Sequence, residues 1–389
     1  MIAPRAAGAG RTVLLMAAYA APALLLAWVV GGQALLGRID AALAIPFLMP
    51  GALGFARLTR AAPRGRRWWL AGAAMLALLA VQAALHGLLA GRMAAGQLAA
   101  VLLAGAIAVT IACAVERGAR GWRRFVRWPA FLFVTMLWFA AGQALNAAAY
   151  DDKIDGARPQ VVMLTSLPLR WGGGGDDLAQ MLAEGPADLP ALAALERAVD
   201  LKMVDTLDGE LPPDATVLLA HPRALSPHDL VRIDAHRGRG GRIVILADAL
   251  SSWPPPRPLG DPRNPPVTSL LTPLLDHWGI ELAAPAADGA GDARISVGPE
   301  GSMLRLHSAG RFVRLPSGCH GYGDGLVVRC DGGRLWLVGD ADMLDASLWQ
   351  SPVAAAPWLR RSDNLAWLTD TLRGGTRSGF KPLWIRPRH

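Results

Sequence analysis

Lysine is missing from the first 150 residues, and only two acidic side chains, Asp40 and Glu116, stand there against fourteen arginines, a net charge of +12. The remaining residues carry 25 basic and 29 acidic side chains, a net of −4, so the overall +8 averages two unlike halves. A positive charge of that size invites a nucleic-acid reading. Here, however, the arginines flank apolar runs and form no basic stripe with interleaved aromatics, which argues against a nucleic-acid partner.

Cysteine is scarce as well, with three in 389 residues. Cys319 and Cys330 bracket the turn CHGYGDGLVVRC, whose only other metal-ligating side chain of the soft type is His320. A structural zinc site wants four ligands, so the pair predicts a disulfide and an oxidising compartment. Cys113 lies in an apolar run and reads as a small apolar residue.

What the first half has is long apolar stretches, near 13–35, 41–58, 69–90, 97–115 and 129–149. Each is about long enough to cross roughly 30 Å of hydrocarbon. The second is the weakest, because Pro46, Pro50 and two glycines interrupt it. Ala18-Tyr19-Ala20 resembles a signal-peptide cleavage site, but the apolar run is long and four more follow, so an uncleaved anchor is expected.

Twelve arginines fall before the first span, between spans two and three, and between spans four and five; the alternate loops hold only Arg38 and Arg92. By the positive-inside rule this predicts a multi-pass inner-membrane protein with a cytoplasmic amino terminus and a periplasmic segment after Tyr150. Trp68, Trp69, Trp122 and Trp128 fall at the cytoplasmic span ends, as an aromatic belt would. His86, Gln82, Gln97, Gln143 and Asn146 are polar groups within the spans, and no carboxylate lies there. That pattern favours hydrogen bonding between helices over a transport path.

After a linker, 151–158, strands alternate with helices. PQVVMLTSL (159–167), DLKMVDTL (200–207), ATVLLAH (215–221) and RIVILAD read as strands, and LPALAALERAV (189–199) as an amphipathic helix. Ser226 and Pro227 open a further helix, ended near Arg237 by glycines; another covers about 267–278, followed by a short strand, GIEL. Such units predict a parallel sheet wrapped by helices, flavodoxin-like or Rossmann-like, over 159–389. Between 293 and 339, short alternating stretches separated by glycines predict an antiparallel meander or hairpin set, and DNLAWLTDTLRGG (363–375) a closing helix.

One phrase occurs twice: GGRIVILAD ending at Asp248 and GGRLWLVGD ending at Asp340. An aspartate at the carboxyl end of a buried strand sits where α/β proteins keep their chemistry. With Asp342, these carboxylates are candidate ligands for a hard cation. The preferred reading is that each caps the turn that follows, so neither a metal nor a cofactor is expected. WGGGGDD (171–177) lacks the Gly-Lys-Ser/Thr ending of a phosphate loop. His221, His228 and His236 cluster in sequence without an evident nucleophile, and Ser251 and Ser252 follow Asp248.

The order of these segments resembles the GldG-type auxiliary domain of ABC-type transport systems. The matching residues are Pro222, Leu225-Ser226, Gly240-Gly241-Arg242, Asp248, Gly339-Asp340-Ala341-Asp342 and Asn364, across most of 159–375. The resemblance implies a class I amidotransferase-like fold without catalytic machinery. It further implies a role as adaptor beside an ABC permease and ATPase, or a MoxR-type ATPase system, with Asp248, Asp340, Asp342 and His221 as candidate ligand- or partner-binding residues. The rival expectation is a periplasmic hydrolase or amidase with metal-binding carboxylates at Asp248, Asp340 and Asp342.

Overall fold

The computed structural model describes residues 19–151, 156–170, 188–208, 211–255, 257–258, 260–285, 291–375 and 378–387. The chain divides into two compact units: Met1–Asp151 with Val353–Leu359 and Gly379–His389, and Asp152–Pro352 with Arg360–Ser378.

The first unit is helical. Among the described residues, four helical segments are long and apolar enough to cross a membrane: Ala41–Leu58, Arg64–Ala90, Ala95–Gly121 and Arg124–Ala149. The segment expected at 13–35 begins outside the described residues; its described part is a helix, Tyr19–Val29 (α1). That helix stops short of residue 35 because Gly32 takes a left-handed φ of 76°, before a four-residue helix, Gln33–Leu36 (α2). The prolines of the second segment leave their mark too. Ala41–Phe47, with Pro46 inside, is a 3₁₀ turn that passes into an α-helix only at Leu48–Leu58 (α3).

That interrupted segment is the most enclosed, with 78% of its apolar window buried. The windows of Arg64–Ala90, Ala95–Gly121 and Arg124–Ala149 are 33%, 39% and 17% buried. Pro-broken backbone is tolerated at membrane depth where protein surrounds it. Small residues let the neighbours close in: a side chain on Gly142 would come within 2.7 Å of the Pro46 backbone, and one on Gly51 would strike the Tyr19 carbonyl. Trp138 Nε1 donates to the Ile45 carbonyl at 2.8 Å. The helices Arg64–Leu85 (α4), Ala95–Gly118 (α5) and Arg124–Ala149 (α6) turn Leu76, Leu103, Phe133 and Leu137 outward, as lipid-facing surfaces do. Trp68, Trp69, Trp122 and Trp128 are exposed around the start of α4 and α6.

At the opposite ends of these helices the carboxyl-terminal tail is fastened to the helical unit. The Phe380 amide donates to Ala149 O, Ile385 to Gly37 O and Arg386 to Leu89 O, at 2.7, 2.9 and 3.0 Å. This differs from the sequence-based division, which ran the α/β domain to residue 389. A buried ion pair anchors the tail. Arg38 Nε donates to Asp40 Oδ2 at 2.5 Å, and Asp40 Oδ1 accepts from Gln97 Nε2 at 3.1 Å and the Leu383 amide at 2.6 Å. Arg38 and Asp40 are wholly buried, and Arg38 lies over the rings of Tyr150 and Trp384.

The second unit is a mixed α/β domain. Its seven-stranded sheet has the order β2-β1-β3-β4-β11-β10-β9. Gln160–Thr165 (β1), Asp200–Met203 (β2), Thr216–Ala220 (β3), Arg242–Leu246 (β4) and Leu335–Val338 (β11) run parallel; Val327–Cys330 (β10) and His320–Tyr322 (β9) continue antiparallel. Helices Pro190–Ala198 (α7), Pro227–Gly238 (α8) and Asn364–Arg373 (α11) flank it, with Thr272–His277 (α9) and Ala346–Trp349 (α10) shorter. The central strands are almost fully buried, which is why they read as unbroken apolar runs. Ser226 caps α8 in a reciprocal box: its Oγ accepts from the Asp229 amide at 3.1 Å, while Asp229 Oδ2 accepts from the Ser226 amide.

The antiparallel pairing expected over 293–339 is present, divided between separate sheets. Asp292–Val297 (β6) and Ser302–His307 (β7) form a separate hairpin, and Glu281–Ala283 (β5) pairs antiparallel with Arg311–Arg314 (β8). RLWLVG (β11) pairs antiparallel with β10, as expected, and on its other edge lies parallel to β4 in the main sheet. Its run of apolar residues suits a strand covered on both faces. Cys319 and Cys330 form a disulfide where β9 and β10 pair.

Candidate functional site

The register of β4 and β11 sets Ile243 opposite Leu335 and Leu246 opposite Val338. The two repeated phrases therefore lie side by side, residue for residue, and their final aspartates, Asp248 and Asp340, leave adjacent strand ends together. Asp342 follows within one turn, opening the 3₁₀ segment Asp342–Leu344. One oxygen from each of these three buried carboxylates lies within 4.8 Å of the others.

The phrases differ where one ends Gly-Asp and the other Ala-Asp. The segment after β7 crosses the end of β11: the Gly310 amide donates to the Gly339 carbonyl at 2.7 Å, and a Cβ on Gly339 would collide with the Gly310 carbonyl. Just past the end of β4, the Ala247 amide donates to Val338 O at 2.8 Å.

Each carboxylate is held by a backbone amide on one side. Asp248 Oδ1 accepts from the Leu250 amide at 3.1 Å, the local cap anticipated from sequence. Asp340 Oδ2 accepts from His307 N at 2.7 Å, and Asp342 Oδ2 from Ser252 N at 2.8 Å. These last two bind segments far away in the chain, so they tie the strand ends to other elements. Among the described residues, Asp248 Oδ2 and Asp340 Oδ1 have no hydrogen-bond partner.

Burial is the main force on their acidity. It pushes Asp248 up to about 8, with the charge of Asp342 adding to the effect. Asp340 is raised well above the carboxylate range by burial and by the charges of Asp248 and Asp342. Asp342 is raised by burial, against the pull of the Ser252 amide. Carboxylates about 4–5 Å apart repel by about 3–4 kcal/mol at an effective dielectric near 20. Three ionised groups would oppose folding by roughly 10 kcal/mol, on the scale of a whole domain's net stability. The cluster therefore needs protons or a cation.

His221 ends β3, the strand beside β4, and is wholly buried with a left-handed φ of 46°. Its Nε2 lies 2.6 Å from the Pro266 carbonyl, so the neutral ring carries its proton there, and Nδ1 has no partner. Burial lowers its pKa, and the charge of Asp342 acts on it. It is not among the atoms gathered within 4.8 Å. Ser251 Oγ donates to Asp342 Oδ1 at 3.3 Å, and Ser252 Oγ lies 3.5 Å from Ser308 Oγ.

Other sequence candidates go elsewhere. His236 packs under Gly241 at the amino end of β4, and His228 lies in the first turn of α8. WGGGGDD falls outside the described residues. Asn364, part of the resemblance, is a staple: its Oδ1 accepts from the Arg305 amide, and its Nδ2 donates to Arg305 O and Met343 O at 2.8 and 3.0 Å. The role of His307 was not legible, since its backbone and not its side chain meets Asp340. Compared with protein-family models, with curated proteins and with solved structures, the chain matches none.

Proposed function

We propose that this protein is a non-enzymatic, membrane-anchored auxiliary of an ABC-type transport or envelope-assembly system. Its α/β domain binds a partner or an envelope ligand in the periplasm, and its helices hold it in the inner membrane. The observation that carries this reading is the closed carboxyl end of the central strands. Asp248, Asp340 and Asp342 are 0%, 0% and 4% exposed, and backbone amides hold Asp340 and Asp342 against distant segments. A substrate must reach a catalytic group, and these are sealed.

The parallel strand order β2-β1-β3-β4-β11 supports a flavodoxin-like or amidotransferase-like sheet, since it follows the 2-1-3-4-5 doubly wound order. The Cys319–Cys330 disulfide supports a periplasmic location. The crowding of arginines around the starts of α4 and α6, away from the tail, supports a cytoplasmic amino terminus. The order of Pro222, Ser226, Asp248, Asp340 and Asn364 favours GldG-type partners, a permease with its ATPase or a MoxR-type ATPase.

The alternative reading, a metal-dependent hydrolase or amidase, is favoured by the convergence of the three carboxylates. One experiment separates the two. The full-length protein, tagged and extracted in mild detergent, is expected to retain an ATPase and a permease in stoichiometric amounts. Loss of both, together with ester or amide hydrolysis that disappears in Asp340→Asn, would contradict the adaptor reading.

A further inference from the structure

We propose that Asp248, Asp340 and Asp342 bind one hard divalent cation that fastens the ends of β4 and β11 to the segment following β7. The assignment stands on geometry, and it does not depend on the transport reading. Three carboxylate oxygens from two adjacent strand ends and one following turn lie within 4.8 Å of one another. An all-oxygen, anionic donor set suits Ca²⁺ or Mg²⁺ and not a soft metal.

The second observation is which oxygens are satisfied. Leu250, His307 and Ser252 amides each hold one oxygen of a carboxylate, as the outer partners of metal ligands do. Among the described residues, Asp248 Oδ2 and Asp340 Oδ1 are left without a hydrogen-bond partner, although both side chains are wholly buried. A buried carboxylate oxygen with no donor is costly unless something positive meets it. A proton shared between Asp248 and Asp342 neutralises only that pair, whereas a cation among the three carboxylates would bring positive charge to all of them. The consequence is a structural clamp: β4 and β11 are joined to the segment that runs from His307 to Gly310, which already crosses Gly339.

The test uses the full-length protein in detergent, stripped with EDTA and dialysed. Metal content is read by inductively coupled plasma mass spectrometry at fixed free Ca²⁺ or Mg²⁺, and thermal unfolding is followed at constant ionic strength. We expect about one ion bound per chain, a melting temperature that rises with the ion, and roughly a tenfold or larger loss of affinity in Asp340→Asn. Asp324→Asn, at a carboxylate that is 93% exposed, serves as the control and should bind like wild type. Wild-type protein that binds no ion above background would overturn the proposal, and that measurement stands even if Asp340→Asn fails to fold. Equal binding by wild type and a folded Asp340→Asn would overturn it too. Hydrolase activity would bear on the adaptor reading and leave the cation assignment untouched.

Discussion

Asp248 and Asp340 end neighbouring parallel strands in register, each as the last residue of the same repeated phrase. Their proximity follows from that repetition. Two strands with matching entry glycines and matching apolar lengths, set side by side, deliver matching carboxylates to one edge.

The first consequence is a pH dependence in metal-free protein. The folded-state pKa values of Asp248, Asp340 and Asp342 are raised, so the folded state keeps protons that the unfolded chain has lost. Their contribution to stability is complete below the ordinary carboxylate value near 4 and is lost as pH rises through the folded value, about 8 for Asp248. Denaturant unfolding in EDTA should give decreasing stability from pH 5 to 8, by up to about 1.4 kcal/mol per pH unit for each retained proton. Asp248→Asn should flatten the profile. A stability that rises over this range would contradict the raised values.

Gly339 is the position at which the two phrases cannot be exchanged. Gly339→Ala should destabilise the α/β domain by about 2 kcal/mol or more, because the added methyl meets the Gly310 carbonyl. Gly238→Ala, where nothing lies within 4 Å of the added carbon, should cost little. Chemical denaturation of both variants compares them directly.

The Cys319–Cys330 bridge closes a short loop between β9 and β10. Its removal by Cys330→Ser should lower stability by about 2–3 kcal/mol, and reductant should have the same effect on wild type and none on the variant.

In the helical unit, Asp40→Asn should be strongly destabilising, by about 3–5 kcal/mol, since it leaves the buried Arg38 without its partner. Arg38→Met combined with Asp40→Leu should cost less than Asp40→Asn alone. Thermal inactivation in detergent gives the order of the three proteins. A double variant worse than the single would contradict a paired charge.

Much of this architecture was written in local pattern. The apolar lengths of α4, α5 and α6, the box at Ser226 and Asp229, and the strand RIVIL each follow from residues close together in sequence. The errors share one cause, which is pairing across distance. LWLV was read as a partner of its sequence neighbour β10, which it is, while its second partner β4 lies far back in the chain and that parallel pairing was missed. Arg38 was counted as a minor loop charge because the Trp358 carbonyl that accepts from it, and the Leu383 amide that meets Asp40, lie more than 300 residues away. An Arg-x-Asp in a half with only two acids was the signal that could have found it. The carboxylates themselves were named from sequence; that Asp340 and Asp342 hold remote amides, and do not merely cap the next turn, required the sheet register.

The central claim is that an α/β domain stands outside the cytoplasm on a helical membrane anchor. Alkaline phosphatase fused after residue 155 tests it most directly, with a cytoplasmic reporter fused at the same point as the converse. The account predicts an active phosphatase and a silent cytoplasmic reporter. An inactive phosphatase with a bright cytoplasmic reporter would contradict it.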